Sequence, residues 1–391
     1  MVGGSGNIFE NISEEGVNFR AEGVASCFRG VRQELMPKLV GINHFFKNRE
    51  KFRGGCYMIF IMRIRFSHKF EEVISVENLI EAWKIFLCGK RSRKDVQEFK
   101  LYLMDNIFGL YRGLSNGSYE HGSYQEFRLA DPKPRVIHKA SVKDRLVHQV
   151  VYNALYPFFD RIFIADSYSC RENKGTHKAL DRFQSFFYKA SKNDTRTCWV
   201  LKCDIKKFFA SVNHSVLEKI LGQHISNEKL MWLLSGIIES FYSKSNSVGL
   251  PLGNLTSQLF VNVYVNEFDQ YVKHRLGFKY YIRYADDFVF LSDKKEKLEM
   301  AIPKVRSFLI ENLQLTVHKI SLKTFASGID YLGWLHFPTH RILRTTTKRR
   351  VLSRVSNSPT EETLQSYLGL LSHGDAYYLE NKLRDFYTYQ H

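Results

Sequence analysis

The sequence is poor in cysteine and lacks the spacing of a cysteine metal site. None of its six cysteines forms a CxxC pair, and their surroundings are apolar or mixed. Neither a zinc framework nor a disulfide scaffold is indicated. We therefore expect a protein of the reducing cytoplasm.

Long hydrophobic runs are also missing. The longest, CYMIFIM at Cys56–Met62, is far shorter than the roughly 20 residues that a membrane-spanning helix requires. The opening MVGGSGNIFE does not show the basic and then apolar order of a signal peptide. We expect no membrane-spanning segment and no membrane partner.

Acidic residues are outnumbered, since 40 Asp and Glu stand against 57 Lys and Arg, a formal charge of +17. This excess favours a polyanionic partner, either a nucleic acid or an anionic membrane surface. What is abundant is apolar: 44% of the 391 residues are hydrophobic, with 31 Phe and 21 Tyr, which suffices for a large core. The length predicts two or three domains, or one domain with lobes.

The chain changes character near residue 68. Residues 1–66 show no sustained period, whereas amphipathic stretches such as SVENLIEAWKIFLCGK follow from Phe70. A helix is predicted in KDVQEFKLYLMDNIFGLYRGL, and FRLADPKPRVIHKASVKDRLVHQVVYNALYPFFDRIF predicts a strand, a turn, a basic strand and a helix. Strands that alternate with covering helices predict an α+β fold.

Two patterns place carboxylates at the ends of apolar strands. TCWVLKCDIKKFFASVNHSVL predicts a strand that ends near Asp204, and YYIRYADDFVFLSDKK predicts a hairpin with Asp286 and Asp287 at its turn. Between them, GLPLGNLTSQ predicts a glycine turn that leads into a helix capped by Thr or Ser. If the two strands are neighbours, Asp204 and Asp286 could share a two-metal site. The alternative is a pair of solvated turn residues.

These motifs together resemble those of reverse transcriptases. VLKCDIKKFFASV, GLPLGNLTSQLFVNVY, RYADDFVFL and IDYLGW are similar, in this order, to the palm motifs, and KPRVIHKASVKDR with SYSCRENKGTH to the finger motifs. The resemblance implies a right-hand polymerase with fingers, an antiparallel palm sheet and a helical thumb. The corresponding boundaries are an N-terminal extension at 1–68, fingers at 69–198, palm at 199–337 and thumb at 338–391.

The resemblance also implies the catalytic centre of an RNA-directed DNA polymerase. Two divalent ions, Mg²⁺ or alternatively Mn²⁺, would be held by Asp204, Asp286, the adjoining Asp287 and the carbonyl of Ile205. Lys319 falls where some polymerases carry a lysine that protonates pyrophosphate.

A second implied group would contact the incoming deoxynucleotide. Lys133 and Arg135 would hold its triphosphate, because ammonium and guanidinium groups bind phosphate. Phe209 would collide with a 2′-hydroxyl and exclude ribonucleotides, and Leu252 and Gln258 would lie beside the nascent base pair. The alternatives are solvated loop lysines and an ordinary core phenylalanine.

A third implied group would contact template and primer. Arg171 and Lys174 stand in a basic loop, and the primer grip falls on Tyr331, Leu332, Gly333 and Trp334. Lys348 and Arg349 belong to a basic thumb stretch with Arg341, Arg344 and Arg350. The alternatives are a solvated basic loop, a hydrophobic hairpin turn and a solvated basic face.

The departures from the common pattern predict a subgroup. Leu252 precedes Gly253 where many families have Gln, and Gln258 follows Ser257 where many have Pro. LGNLTSQ, SYSCRENKGTH and SYLGLLSHGDAYYLENKL are similar to the reverse transcriptases of diversity-generating retroelements. That class copies a template-repeat RNA from a DNA or RNA primer into error-prone cDNA, and works with a small basic accessory protein. The alternatives are a phage-defence or otherwise domesticated enzyme and a non-catalytic RNA-binding scaffold.

The N-terminal segment has two interpretations. In the first, residues 1 to about 60 are dispensable for the polymerase fold, and Met58 or Met62 is the native start. In the second, the segment is an RNA-binding or partner-docking extension, which its Arg and Lys content allows.

Overall fold

The computed structural model describes residues 64–130, 134–243, 247–357 and 360–388. The N-terminal segment with two interpretations, residues 1 to about 60, lies outside them. The described residues form two compact units. The first contains the described residues up to Phe158, together with Glu218–Ser240 and Gly253–Thr256. The second contains Phe159–Leu217, the described residues of Phe241–Leu252, and those from Ser257 onward. The finger, palm and thumb boundaries stay a prediction.

Helices and strands alternate along the described chain, as the α+β prediction requires. The helices are α1 (Phe70–Val73), α2 (Val76–Phe86), α3 (Lys94–Leu101), α4 (Leu103–Ser115), α5 (Val142–Asp160), α6 (Thr176–Ala190), α7 (His214–Gly222), α8 (Glu228–Glu239), α9 (Leu255–Gln270), α10 (Lys295–Leu313), α11 (Thr345–Asn357), α12 (Glu361–Leu371) and α13 (Tyr377–Thr388). The strands are β1 (Gln125–Leu129), β2 (Arg135–Lys139), β3 (Trp199–Ile205), β4 (Tyr281–Tyr284), β5 (Asp287–Ser292), β6 (Val317–Thr324), β7 (Ile329–Tyr331), β8 (Trp334–His336) and β9 (Arg341–Leu343).

The first unit confirms the predicted order of two strands and a helix, while residues 131–133, predicted to form the turn, lie outside the described part of the chain. β1 and β2 pair as an antiparallel hairpin in which Leu129 lies opposite Arg135, and α5 follows. The single helix predicted over 94–114 is wrong, because the chain breaks at Tyr102, whose φ of −117° and ψ of 41° are not helical. The side chain of Asn106 donates to the carbonyl oxygen of Phe99 at 2.9 Å, which satisfies an acceptor that a continuous helix would pair internally.

The predicted Thr or Ser cap of the long helix also differs in the structure. α9 begins at Leu255, so Thr256 and Ser257 lie inside its first turn. Both are buried, and the Thr256 hydroxyl lies 2.5 Å from Nδ1 of His148 within the first unit. The hydroxyl therefore serves the packing of this unit instead of capping the helix.

The second unit is built on a four-stranded antiparallel sheet of order β4-β5-β3-β6. α10 packs against β3, β5 and β6, and α6 packs against β4 and β5. A separate three-stranded antiparallel sheet, β7-β8-β9, follows in the chain. Apolar side chains from α6, both sheets and α11 to α13 form one core, which fixes this second sheet and the C-terminal helices on α6 and the larger sheet.

Within the described ranges, no helix combines the length and apolarity needed to cross a bilayer.

A buried ion pair stabilises the hairpin that carries the two adjacent aspartates. Nε of Arg283 on β4 donates to both carboxylate oxygens of Asp269 on α9, at 3.0 and 2.8 Å, and both side chains are fully buried. The guanidinium also donates to Oδ1 of Asn262 and to Oγ of Ser167. The Tyr281 hydroxyl donates to Asp269 at 2.7 Å, so each buried charge is hydrogen-bonded by several partners.

We predict that Asp269→Ala lowers the free energy of unfolding by roughly 3–5 kcal/mol, because it leaves the Arg283 guanidinium buried without its counter-ion. Denaturant titration measures this. The matched control is Glu71→Ala, which breaks the exposed ion pair with Lys229 and should leave the midpoint almost unchanged. Equal effects of the two substitutions would contradict the role given to the buried pair.

Candidate active site

The register of the larger sheet brings the predicted carboxylates together. β3 is anchored by Leu201 and Cys203, which are fully buried, and its next outward position is Asp204. Asp204 lies directly opposite Asp287 on β5. Directly opposed residues of antiparallel strands project from the same face. The hypothesis that the strands of Asp204 and the aspartate pair are neighbours is therefore confirmed.

Asp286 occupies the tight turn between β4 and β5. The preceding Ala285 has a φ of 54°, in the left-handed region, and its carbonyl oxygen accepts from Nη1 of Arg283 at 3.3 Å. The backbone NH of Ile205 donates to the carbonyl oxygen of Asp286 at 3.3 Å. The turn is thus tied both to the buried ion pair below it and to the end of β3 beside it.

The electrostatics of this turn are those of crowded carboxylates. Burial, together with the negative charges of Asp287 and Asp204, raises the pKa of Asp286 to about 6. Burial also raises the pKa of Asp287, while Lys202 opposes that rise. Neighbouring half-buried acids cannot all ionise cheaply, and a cation bound among them would relieve their repulsion.

Hard divalent cations prefer such oxygen ligands. Asp204 and Asp286 fit this requirement, since the charge of Asp204 and its side-chain hydrogen bond help to raise the pKa of Asp286. Among the residues that the structure describes, no three His, Cys, Asp or Glu side chains are gathered closely enough to hold a metal ion. The fit therefore depends on the Asp204 and Asp286 pair, while Asp287 is engaged by Lys202 at 3.4 Å.

Two lysines flank the carboxylates on the same face of the sheet. Lys319 on β6 lies directly opposite Asp204 and is exposed. Lys202 precedes Asp204 by two positions on β3, and its Nζ contacts Oδ1 of Asp287 and donates to the carbonyl oxygen of Asp330 at 3.0 Å. Lys202 is not among the site residues predicted from the sequence. The sequence feature that could have indicated it is a single charged residue inside the otherwise apolar run WVLKC.

The predicted nucleotide contacts divide between the two units. Phe209 lies half-buried in a 3₁₀ turn, Phe208–Ser211, just after β3, and its carbonyl oxygen accepts from the NH of Leu250 at 2.8 Å. Leu252 and Gln258, which belong to the motif GLPLGNLTSQ, are also half-buried. Arg135 is exposed at the start of β2 in the first unit, and Lys133 lies outside the described residues.

The structure differs from the expectation for Arg171. Its side chain is buried, and its guanidinium donates to the Asp160 carboxylate at 2.7 Å and to the carbonyl oxygens of Asp160, Ile164 and Ser167. These bonds use the donors that a template phosphate would need, so Arg171 holds its own loop. Lys174 is half-buried and donates to the carbonyl oxygen of Ala165 at 2.7 Å.

The predicted primer grip separates into core side chains and a turn. Tyr331 and Trp334 are buried in the core of the second unit, so their rings are not available to a primer. Leu332 and Gly333 form the turn between β7 and β8, with φ of 49° and 88°, and are half-buried. Contact with a primer would therefore come from the backbone of this turn.

The predicted basic thumb residues also separate into two kinds. Arg341 pairs with Asp181 and donates to the carbonyl of His373, and Arg344 pairs with Asp330. Lys348, Arg349 and Arg350 lie along α11, where Arg349 is exposed and the other two are half-buried. The helix, more than the strand before it, offers positive charge to a polyanion.

Comparison with known proteins identifies the class to which this sheet and its carboxylates belong. Residues 130–336, more than half of the chain, match the family model of reverse transcriptases, RNA-dependent DNA polymerases. The chain belongs to the reverse transcriptase family. Its α+β architecture is accordingly the right-hand polymerase fold, with β4-β5-β3-β6 as the antiparallel palm sheet.

Individual relatives are more distant. Protein YkfC of Escherichia coli K12 is 26% identical over 261 residues, which cover 57% of this chain and 66% of that protein. The group II intron-encoded protein LtrA of Lactococcus lactis subsp. cremoris is 23% identical over 176 residues, 43% of this chain and 28% of that protein. The chain thus spans less than two thirds of the length of these relatives. Among solved structures, apo telomerase from Candida tropicalis, truncated from its C-terminal domain, aligns with a TM-score of 0.42 and 14% identity, covering 62% of this chain and 60% of that one.

We predict that the metal-free protein loses stability as the pH rises from about 4 to above 6. The folded-state pKa of Asp286, about 6, lies above its ordinary value of 3.8, so folding favours the protonated acid and this contribution disappears once Asp286 ionises. The loss should be on the order of 2 kcal/mol.

Denaturant titrations in EDTA across this pH range measure the effect. Asp286→Asn should flatten the pH dependence, whereas Asp293→Asn, at the far end of β5, should retain it. Identical pH profiles for the wild type and Asp286→Asn would show that the pKa of Asp286 is not raised in the folded protein.

Proposed function

We propose that the protein is an RNA-directed DNA polymerase that acts by two-metal-ion nucleotidyl transfer. The observation that carries this proposal is the meeting of Asp204 with Asp286 and Asp287 at the ends of neighbouring palm strands. The family match over residues 130–336 supports it. Its substrates would be deoxynucleotides, an RNA template and a DNA or RNA primer, and its excess of 17 positive charges suits such polyanions.

The proposal assigns each residue of the site a part in this chemistry. Asp204 and Asp286 would hold the divalent ions, Mg²⁺ or Mn²⁺, with Asp287 and the carbonyl oxygen of Ile205 completing the ligand set. When bound, such ions activate the attacking 3′-hydroxyl and neutralise the leaving oxygen. Lys319 lies opposite Asp204 and is exposed, and in this proposal its ammonium would protonate the leaving pyrophosphate.

Other predicted residues would select and bind the nucleotide. The 3₁₀ turn fixes Phe209 directly after β3, and the hydrogen bond from Leu250 joins it to the loop that contains Leu252. A bulky ring there would exclude a 2′-hydroxyl. Arg135, with Lys133, would bind the triphosphate, and Lys174 and the turn at Leu332 and Gly333 would contact template and primer.

We further propose that the enzyme belongs to the class that serves diversity-generating retroelements. Leu252 and Gln258 carry this finer proposal, together with the motif LGNLTSQ. The aliphatic side chain of Leu252 neither donates nor accepts the hydrogen bonds by which Gln would steady a nascent base pair, so mispairs should be penalised less. The template would then be a template-repeat RNA, and a small basic protein would be the accessory partner.

Polymerisation by the wild type on a primed RNA template with Mg²⁺ tests the proposal. We predict that Asp204→Asn lowers the rate by about 10³-fold or more, because loss of a metal-holding carboxylate removes several kcal/mol of transition-state stabilisation. RNA affinity and thermal stability should change little.

The matched control is Asp293→Asn, which removes a carboxylate at the opposite end of the same β5 hairpin. A wild type that binds primed RNA without extending it would favour the non-catalytic scaffold instead. Substantial synthesis by Asp204→Asn would exclude the proposed site.

A second substitution tests the subgroup. Leu252→Gln should lower the error rate at template adenines more than at the other bases, because it restores a hydrogen-bonding amide beside the base pair. Sequencing of cDNA made on one template by both proteins measures this, with Leu252→Met as the control for a change of side chain alone. Equal adenine error rates would exclude Leu252 as the cause.

A further inference from the structure

The side chain of Lys202 joins two parts of the proposed polymerase site. It lies on β3, and its position two residues before Asp204 places it on the same face of the palm sheet. Its Nζ lies 3.4 Å from Oδ1 of Asp287 and 3.0 Å from the carbonyl oxygen of Asp330. Both carboxylate and lysine are about three quarters buried, with exposed fractions of 28% and 23%, so this contact is only partly screened by water.

The second contact connects the palm sheet to the turn of the second sheet. Asp330 belongs to β7 and immediately precedes Tyr331, after which Leu332 and Gly333 form the turn. The ring of Tyr331 lies 5.9 Å from Nζ of Lys202. One ammonium therefore fixes the distance between a carboxylate and the strand that leads into the turn.

The same strand is held from its other side. The carboxylate of Asp330 pairs with Arg344, whose backbone NH donates to the carbonyl oxygen of Gly333 at 3.1 Å. Arg344 directly precedes the basic helix α11. Polar contacts thus run from Asp287 through Lys202 and Asp330 to Arg344, and each link is a hydrogen bond or an ion pair within the second unit.

We infer that Lys202 is a positioning residue that sets the primer terminus against the carboxylates. This inference rests on the proposed function. Lys202 need not touch substrate, because it acts through the turn at Leu332 and Gly333. A small displacement of a reacting group lowers the reaction rate strongly but changes the binding affinity little.

The test compares Lys202→Met with Lys323→Met. Lys323 is an exposed lysine on β6, opposite Val200, so its substitution removes an equal charge from the same face further from Asp287. Lys202→Met should lower kcat for single-nucleotide addition by roughly 10- to 100-fold. The KM for deoxynucleotide and the affinity for primed RNA should stay within about threefold, since neither contact is removed.

A 2-aminopurine base at the primer 3′ end, in a complex of protein with primed RNA alone, reports on position. Its fluorescence should change in Lys202→Met and match the wild type in Lys323→Met. Lys202→Arg, which keeps a cationic donor, should recover most of both signals. If Lys202→Met does not fold, Lys202→Gln takes its place in the same comparison.

Unchanged primer-end fluorescence in Lys202→Met would overturn the inference, whether or not kcat falls. The inference would also be overturned if kcat fell only in proportion to a loss of thermal stability. A wild type that extends no primer contradicts the proposed function itself, whereas a wild type that polymerises beside an equally active Lys202→Met contradicts the positioning role alone.

Discussion

The antiparallel register of β3 between β5 and β6 is the constraint on which the site depends. It sets Asp204 opposite Asp287 on one side and opposite Lys319 on the other. A shift by one residue would turn Asp204 toward the buried face now occupied by Leu201 and Cys203, and would scatter the three groups. The apolar residues that pin this register thus determine where the acids stand, and the acids themselves contribute repulsion.

Two cations support the site in different ways. Below the turn, Arg283 is fully buried, binds Asp269 and holds the carbonyl oxygen of Ala285, so it shapes the backbone that presents Asp286. Above it, Lys202 is partly exposed and offsets Asp287 directly. A buried pair of this kind is costly to break, whereas the partly exposed contact of Lys202 with Asp287 is worth less by itself. The buried pair therefore holds the backbone of the turn, and the outer contact holds one carboxylate.

The two strands that carry the acids could be predicted from the sequence, because each is an apolar run next to an acidic residue. That the strands are neighbours, with Asp204 opposite Asp287, is seen in the sheet. Side-chain orientation could not be predicted. Arg171 stands in a basic loop like any solvated arginine, but its guanidinium turns inward to Asp160 and backbone carbonyls. Tyr331 and Trp334 belong to the core although they flank an accessible turn. Lys202 was missed because its partners, Asp287 and Asp330, are distant in sequence.

The central claim is that Asp204 and Asp286 hold the catalytic ions of a polymerase. The most direct measurement is a crystal structure of the protein with primed RNA, a non-hydrolysable deoxynucleotide and Mn²⁺, located by anomalous scattering. We expect metal peaks in direct coordination with the carboxylates of Asp204 and Asp286, between the primer 3′ end and the triphosphate. Metal that binds elsewhere, or a nucleotide seated away from the ends of β3 and β5, would contradict the claim.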